Sequence, residues 1–210
     1  MAVIHRTTME PGKLELLGAW LPTRPWYTGA AEPELDRVGG FRLDDPRGEV
    51  GMEFMVVTDA SGDLPVSYHV PLTYRGAPLD GAGHALIGTS EHGVLGRRWV
   101  YDGTHDPVLV AQVLALLRGE AEPQAQSVSD APDPTVTVRP AGDGHPAVIA
   151  SPTVQDTEHG TRVVPAPGAA ALSVSRVLRP GSTDEGAQVT APWRLPDGDE
   201  ARGVFFTLLG

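Results

Sequence analysis

The stretch that most constrains the fold is 49–76, EVGMEFMVVTDASGDLPVSYHVPLTYRG. Val50, Met52, Phe54 and Val56 alternate with Gly51, Glu53, Met55 and Val57. Beyond the small, polar turn 59–63, Val66, Tyr68, Val70, Leu72 and Tyr74 alternate with Ser67, His69, Pro71, Thr73 and Arg75. Period-two alternation on both sides of a turn predicts a long β-hairpin, with one set buried and the other facing solvent or a partner. The hairpin carries no chemistry of its own.

Around it, residues 1–8 alternate weakly enough for a first strand, and 11–21 (PGKLELLGAWL) form a short amphipathic helix stopped by Pro22. A loop with Trp26 and Tyr27 follows, then a short strand over 40–46 with Phe41 and Leu43 inward. Residues 85–88 and 91–101 read as a further strand pair. The clearest helix is 106–118: Asp106 is a good N-cap, Pro107 suits the first helical position, and Gly119 is the expected stop. Its apolar residues should pack against the sheet. Residues 120–134 (EAEPQAQSVSDAPDP) hold no aromatic side chain and little apolar content, and read as a linker, or at most an ordered crossing strand. Beyond it, 135–139, 147–150, 161–164, 171–178, 187–195 and 203–209 read as short strands with no helix between them. The expected fold is therefore α+β: an N-terminal antiparallel sheet with packed helices over 1–119, a linker over 120–134, and a small all-β unit over 135–210.

Composition narrows the function. The chain has 210 residues, enough to bury a core, with 25 glycines and 20 prolines that favour turns and short strands. There is no cysteine, hence no disulfide or thiolate metal site, which fits a reducing cytoplasmic setting. No apolar run reaches the ~20 residues of a membrane span. A formal net charge of −11 opposes nucleic-acid and anionic-membrane partners.

Candidate chemistry is sparse. The seven histidines (His5, His69, His84, His92, His105, His145 and His159) lack metal-site spacing, although His84 and His92 flank a turn, so no metal is expected. Asp102-Gly-Thr-His105-Asp106 looks catalytic but reads more simply as a turn feeding a capped helix. Ser90-Glu91-His92 lacks a nucleophile-elbow pattern. The glycine-bearing stretches 81–83 and 142–144 lack a phosphate-loop lysine, so no cofactor is expected. Trp26 and Tyr27 could stack on a sugar ring, and with the strand face of His69, Thr73 and Arg75 they are the candidate binding residues. Packing on their own core is the commoner use of such aromatics. No catalytic residue is expected.

Three segments, MAVIHRTTMEPGKLELLGAWLPTRPWY, FMVVTDASGDLPVSYHVPLTYRGAPL and ALIGTSEHGVLGRRWVYDGTHDPV, resemble the N-terminal cap domain of actinobacterial maltokinases. The most specific parts are VSYHVPLTYRG and HGVLGRRWVYDGTHDPV, and the resemblance covers about residues 1–125. It implies a curved antiparallel sheet with packed helices, partly similar to the cystatin fold. In that family the cap precedes a β-rich segment and a helical catalytic lobe. Residues 172–181 (LSVSRVLRPG) are similar to the strand bearing the nucleotide-binding lysine, but Ser173 stands where the lysine is expected, and no helical lobe follows within the 210 residues. This departure argues against kinase activity. Arg176 and Arg179 are the cations nearby that could hold a phosphate without transferring it.

The resulting expectation is a non-catalytic, cap-like accessory or binding protein of α-glucan or trehalose metabolism, with a partner protein. The alternatives are an α-glucan or oligosaccharide-binding module, and a partial sugar kinase completed in trans by a separate catalytic lobe.

Overall fold

The structure, a computed structural model, describes residues 8–128, 131–141, 151–183 and 185–209. The expected strands at 1–8 and 147–150 lie wholly or almost wholly outside these residues.

The hairpin forms as its alternation requires. β3 (Val50–Asp59) and β4 (Val66–Arg75) pair antiparallel in unbroken register from Val50↔Arg75 to Asp59↔Val66. Both of its faces are buried. Phe41, Met52, Phe54 and Val56 share one core with the helix α2 (Pro107–Leu117), whereas Met55, Val57, Tyr68, Val70 and Leu72 share another with α1 (Lys13–Trp20). An apolar residue on both alternating sets leaves neither face fit for water. The set read as facing solvent or a partner is covered from within the molecule.

The other strands are β1 (Met9–Glu10), β2 (Leu35–Leu43), β5 (Leu86–His92), β6 (Gly96–Asp102), β7 (Gln124–Ala125), β8 (Thr137–Arg139), β9 (Thr153–Asp156), β10 (Gly160–Val164), β11 (Ala171–Ser175), β12 (Gln188–Arg194) and β13 (Glu200–Leu209). The thirteen strands of the described residues join one antiparallel sheet in the order β1-β5-β6-β4-β3-β2-β12-β13-β11-β10-β9, with β7 on β2 and β8 on β12. This corrects the α+β expectation. The helices are short, eight and eleven residues, and the strands beyond 135 extend the first sheet rather than forming a unit apart from it.

The reason lies in β2. Its far edge meets β12 at Gly39↔Trp193. A Cβ on Gly39 would stand 3.0 Å from the Trp193 Cβ and 3.1 Å from its Cα, so a side chain there would press β12 away by a few tenths of an ångström, and glycine permits the close approach. Gly40, with φ +129°, takes a backbone conformation that L side chains avoid.

The sheet also returns on itself. Residues 72–75 of β4 pair with β6, but Ser67, Tyr68 and His69 bond to residues 176–178, just past β11: His69 N–H donates to Arg176 O (2.9 Å) and Leu178 N–H to Ser67 O (2.9 Å). Strands β4-β3-β2-β12-β13-β11 thus close into a ring. Phe54, Phe205, Phe206, Trp193 and Leu172 fill one core with Leu109, Val113 and Leu117 of α2. That helix begins as predicted: the Asp106 side chain accepts from Val108 N–H, Pro107 opens the helix, and Gly119 leaves it at φ +75°. Residues 120–134, read as a linker, contain β7, which lies along β2 at Phe41↔Ala125. Among the described residues no helix is long and apolar enough to cross a membrane.

Candidate functional site

The sheet divides the residues that the sequence put forward for binding. His69, Thr73 and Arg75 alternate onto the α2 face of β4. Trp26 and Tyr27 pack with the opposite cluster. Trp26 is wholly buried, edge-on to Trp20 with ring centres 5.8 Å apart. Tyr27 is half-buried, with its hydroxyl 2.6 Å from Asp59 Oδ2. Burial first, then that carboxylate, pushes its phenol up to about 12. Thr73 is wholly buried, and Arg75 is held by Asp106 through two hydrogen bonds of 2.7 Å. No surface platform of aromatic and polar groups results. The five residues are used by the fold: Tyr27 and Arg75 are tied to Asp59 and Asp106, and His69 to Ser175 O, while Trp26 Nε1, His69 Nε2 and Thr73 Oγ1 are buried without a hydrogen-bond partner.

His69 shows this use most clearly. Its ring packs tilted against Phe205 and edge-on to Phe206, with centres 4.5 and 5.1 Å apart, and its Nδ1 lies 3.1 Å from Ser175 O. Burial, then the nearby Arg176 charge, lowers its proton affinity to a pKa of about 3. The imidazole is therefore neutral at physiological pH, and it clasps β4 to the end of β11.

The densest polar constellation is one that sequence reasoning missed. Arg176 sits where the edge of β4 exchanges β6 for residues 176–178. Its side chain is wholly buried. One guanidinium nitrogen donates to Asp102 Oδ2 at 2.5 Å and to Thr104 Oγ1 at 3.2 Å, Nε donates to Thr161 Oγ1 at 2.8 Å, and the group lies 5.0 Å from the Trp26 ring centre. Thr161 in turn donates to Asp156. Asp102 also accepts from Thr104 N–H, which makes it the cap of the 3-10 turn Gly103–His105. At the rim, His84 Nε2 and His105 Nδ1 approach to 3.2 Å. Burial, against the pull of Asp102, keeps the His105 proton affinity below its ordinary value. The stretch 102–106 was read as a turn into a cap; the cap is Asp106, and Asp102 is the counter-ion of Arg176. With its charge balanced by Asp102, Arg176 is not placed to grip a phosphate. Arg179 is exposed.

A second polar cluster lies under α1. Glu53 is buried and accepts from Lys13 Nζ (2.5 Å), Tyr74 Oη (2.6 Å) and Gln126 Nε2 (2.8 Å). Burial alone would raise its pKa, but Lys13, Tyr74 and Gln126 outweigh that and hold it below the ordinary value. Among the described residues no three histidine or carboxylate side chains converge to hold a metal ion. Ser173, at the position of the expected lysine, faces outward on β11, paired with Thr207 and Arg162.

Comparison with known proteins agrees with the cap-like segments. Residues 20–106 match the family model of the maltokinase N-terminal cap domain. The matched stretch runs from the end of α1 to the Asp106 cap of α2 and is similar to that cap domain. No curated protein matches the chain.

Proposed function

We propose that this chain is a non-catalytic accessory protein, related to the maltokinase cap, that docks on a partner protein of α-glucan metabolism in the cytoplasm. One observation supports it above the others: the buried carboxylates are committed to structural partners. Asp102 neutralises Arg176, Asp106 holds Arg75 and caps α2, Glu53 holds Lys13 and Tyr74, Asp59 binds Tyr27 and Ser61, and Asp45 binds the amides of Arg47, Glu49 and Val50. Phosphoryl transfer relies on a phosphate-contacting cation, metal-binding carboxylates and a base that orients the acceptor. Here Asp102, Asp106 and Glu53 are paired with Arg176, Arg75 and Lys13, and Asp59 and Asp45 are taken up by hydroxyls and backbone amides.

The test is ATP-dependent phosphorylation of maltose and related sugars, with calorimetry of ATP–magnesium and of maltooligosaccharides. No turnover and no carbohydrate binding are expected. ATP-dependent sugar phosphorylation abolished by a substitution within the chain would make it an enzyme. Phosphorylation only on adding a separate catalytic lobe would make it a partial kinase. Tight maltooligosaccharide binding would make it a carbohydrate module.

A further inference from the structure

His84 and His105 stand 21 positions apart in sequence, yet His84 Nε2 lies 3.2 Å from His105 Nδ1. Each sits on its own 3-10 turn, Gly83–Ala85 and Gly103–His105. Both turns are anchored from beneath. Ala82 and Ala85 bracket His84 and are buried with Tyr101. In the second turn Gly103 and Thr104 are buried, and the Asp102 side chain accepts from Thr104 N–H. The two rings cross at 83° with centres 4.8 Å apart. His105 is half-buried and His84 is exposed, so the pair meets solvent on one side.

Two zinc–imidazole bonds of ~2.0–2.1 Å place their nitrogens about 2.9 Å apart at a right angle and about 3.3 Å apart at the tetrahedral angle. The observed 3.2 Å falls inside that range. The same spacing serves a hydrogen bond between neutral rings, so the charges around the pair decide what more it can hold. Asp102 and Asp156 draw positive charge toward His105, and Arg176 opposes them. Arg176 is matched by Asp102, and the Asp156 carboxylate, which accepts from the Thr161 hydroxyl, tips the balance toward a cation. Imidazole nitrogen suits zinc, copper and nickel, whereas magnesium and calcium take oxygen ligands.

We infer that His84 and His105 together hold one divalent transition-metal ion, with water in the remaining coordination positions. Among the described residues no third histidine or carboxylate converges on them, so the site is open and exchangeable rather than a closed structural centre. The ion clips the turn at 83–85 to the turn that leads into α2. Because the two rings meet only in the folded chain, binding stabilises the native state. The inference stands apart from the accessory reading, which neither needs nor forbids a metal.

The test is calorimetric titration of the full, untagged chain with zinc chloride, with copper(II) and magnesium chlorides in parallel. Zinc should bind at one ion per chain, copper more tightly, and magnesium not at all. His84→Ala changes an exposed side chain and should weaken zinc binding about tenfold or more. His92→Ala, at the end of β5, should leave it unchanged. Zinc should also raise the unfolding midpoint of the unsubstituted chain and leave that of His84→Ala where it was. Absence of zinc binding, zinc binding or a midpoint shift that survives His84→Ala, equal loss with His92→Ala, or magnesium binding of the same strength would each overturn the inference.

Discussion

At the scale of single residues, burial turns polar side chains into structural parts with measurable signatures. The folded His69 resists protonation down to pH about 3, whereas the unfolded chain takes that proton near 6.5. Since the folded value is the lower one, the neutral ring costs nothing above about pH 6.5. Below it, stability falls by about 1.4 kcal/mol per pH unit until the folded value is reached. His69→Asn keeps an amide donor near Ser175 O and has nothing to titrate. It should flatten the stability profile between pH 6 and 4 in denaturant titrations, and an unchanged slope would show that His69 is not the group responsible. Arg176 and Asp102 should behave as a coupled pair. Arg176→Met strands a buried carboxylate and should cost about 3–5 kcal/mol. Arg176→Met with Asp102→Asn should cost clearly less than the two single changes added together, and strict additivity would deny the pairing.

At the scale of elements, α2 and the closure of the sheet carry the energetics. Leu114 and Leu117 of α2 are buried against strands from both ends of the chain. Leu117→Ala should lower stability by about 2–5 kcal/mol, read as a shift in unfolding midpoint. Gly39→Ala sets a methyl against the Trp193 backbone and should cost about 1–3 kcal/mol, with a change in Trp193 fluorescence marking the displaced β12. The hairpin and α2 were readable in the sequence, because their alternation, N-cap and terminal glycine are local signals. The closure was not. Residues 67–69 and 176–178 each look like ordinary strand, and no local pattern announces a pairing across more than a hundred residues. Arg176, put forward as a cation that could hold a phosphate, shows no local sign of burial within SVSRVL, and its partner Asp102 reads as a turn residue. One signal was present: Met55, Val57, Tyr68, Val70 and Leu72 are as apolar as the opposite set. A hairpin greasy on both faces needs more covering than two short helices supply.

At the scale of the whole molecule, the match to the maltokinase cap covers residues 20–106, yet the sheet does not stop there. Strands inside the match and strands beyond it meet at Gly39, at Arg176 and in one aromatic core of Phe41, Phe54, Phe205 and Phe206. The change in texture near residue 130 reflects a loss of helices rather than a break in packing. The central claim is that the cap segment and the later strands are one cooperative body in which the buried charges serve the fold. Native-state hydrogen exchange tests it most directly, because amides reveal the smallest unit that opens by itself. The amides of Phe54 in β3, Phe206 in β13, and His69 and Leu178 at the closure should exchange through a common global opening, with one free energy. If Phe206 and Leu178 exchange through a lower-energy opening that leaves Phe54 protected, the later strands unfold independently and the single-body account is contradicted.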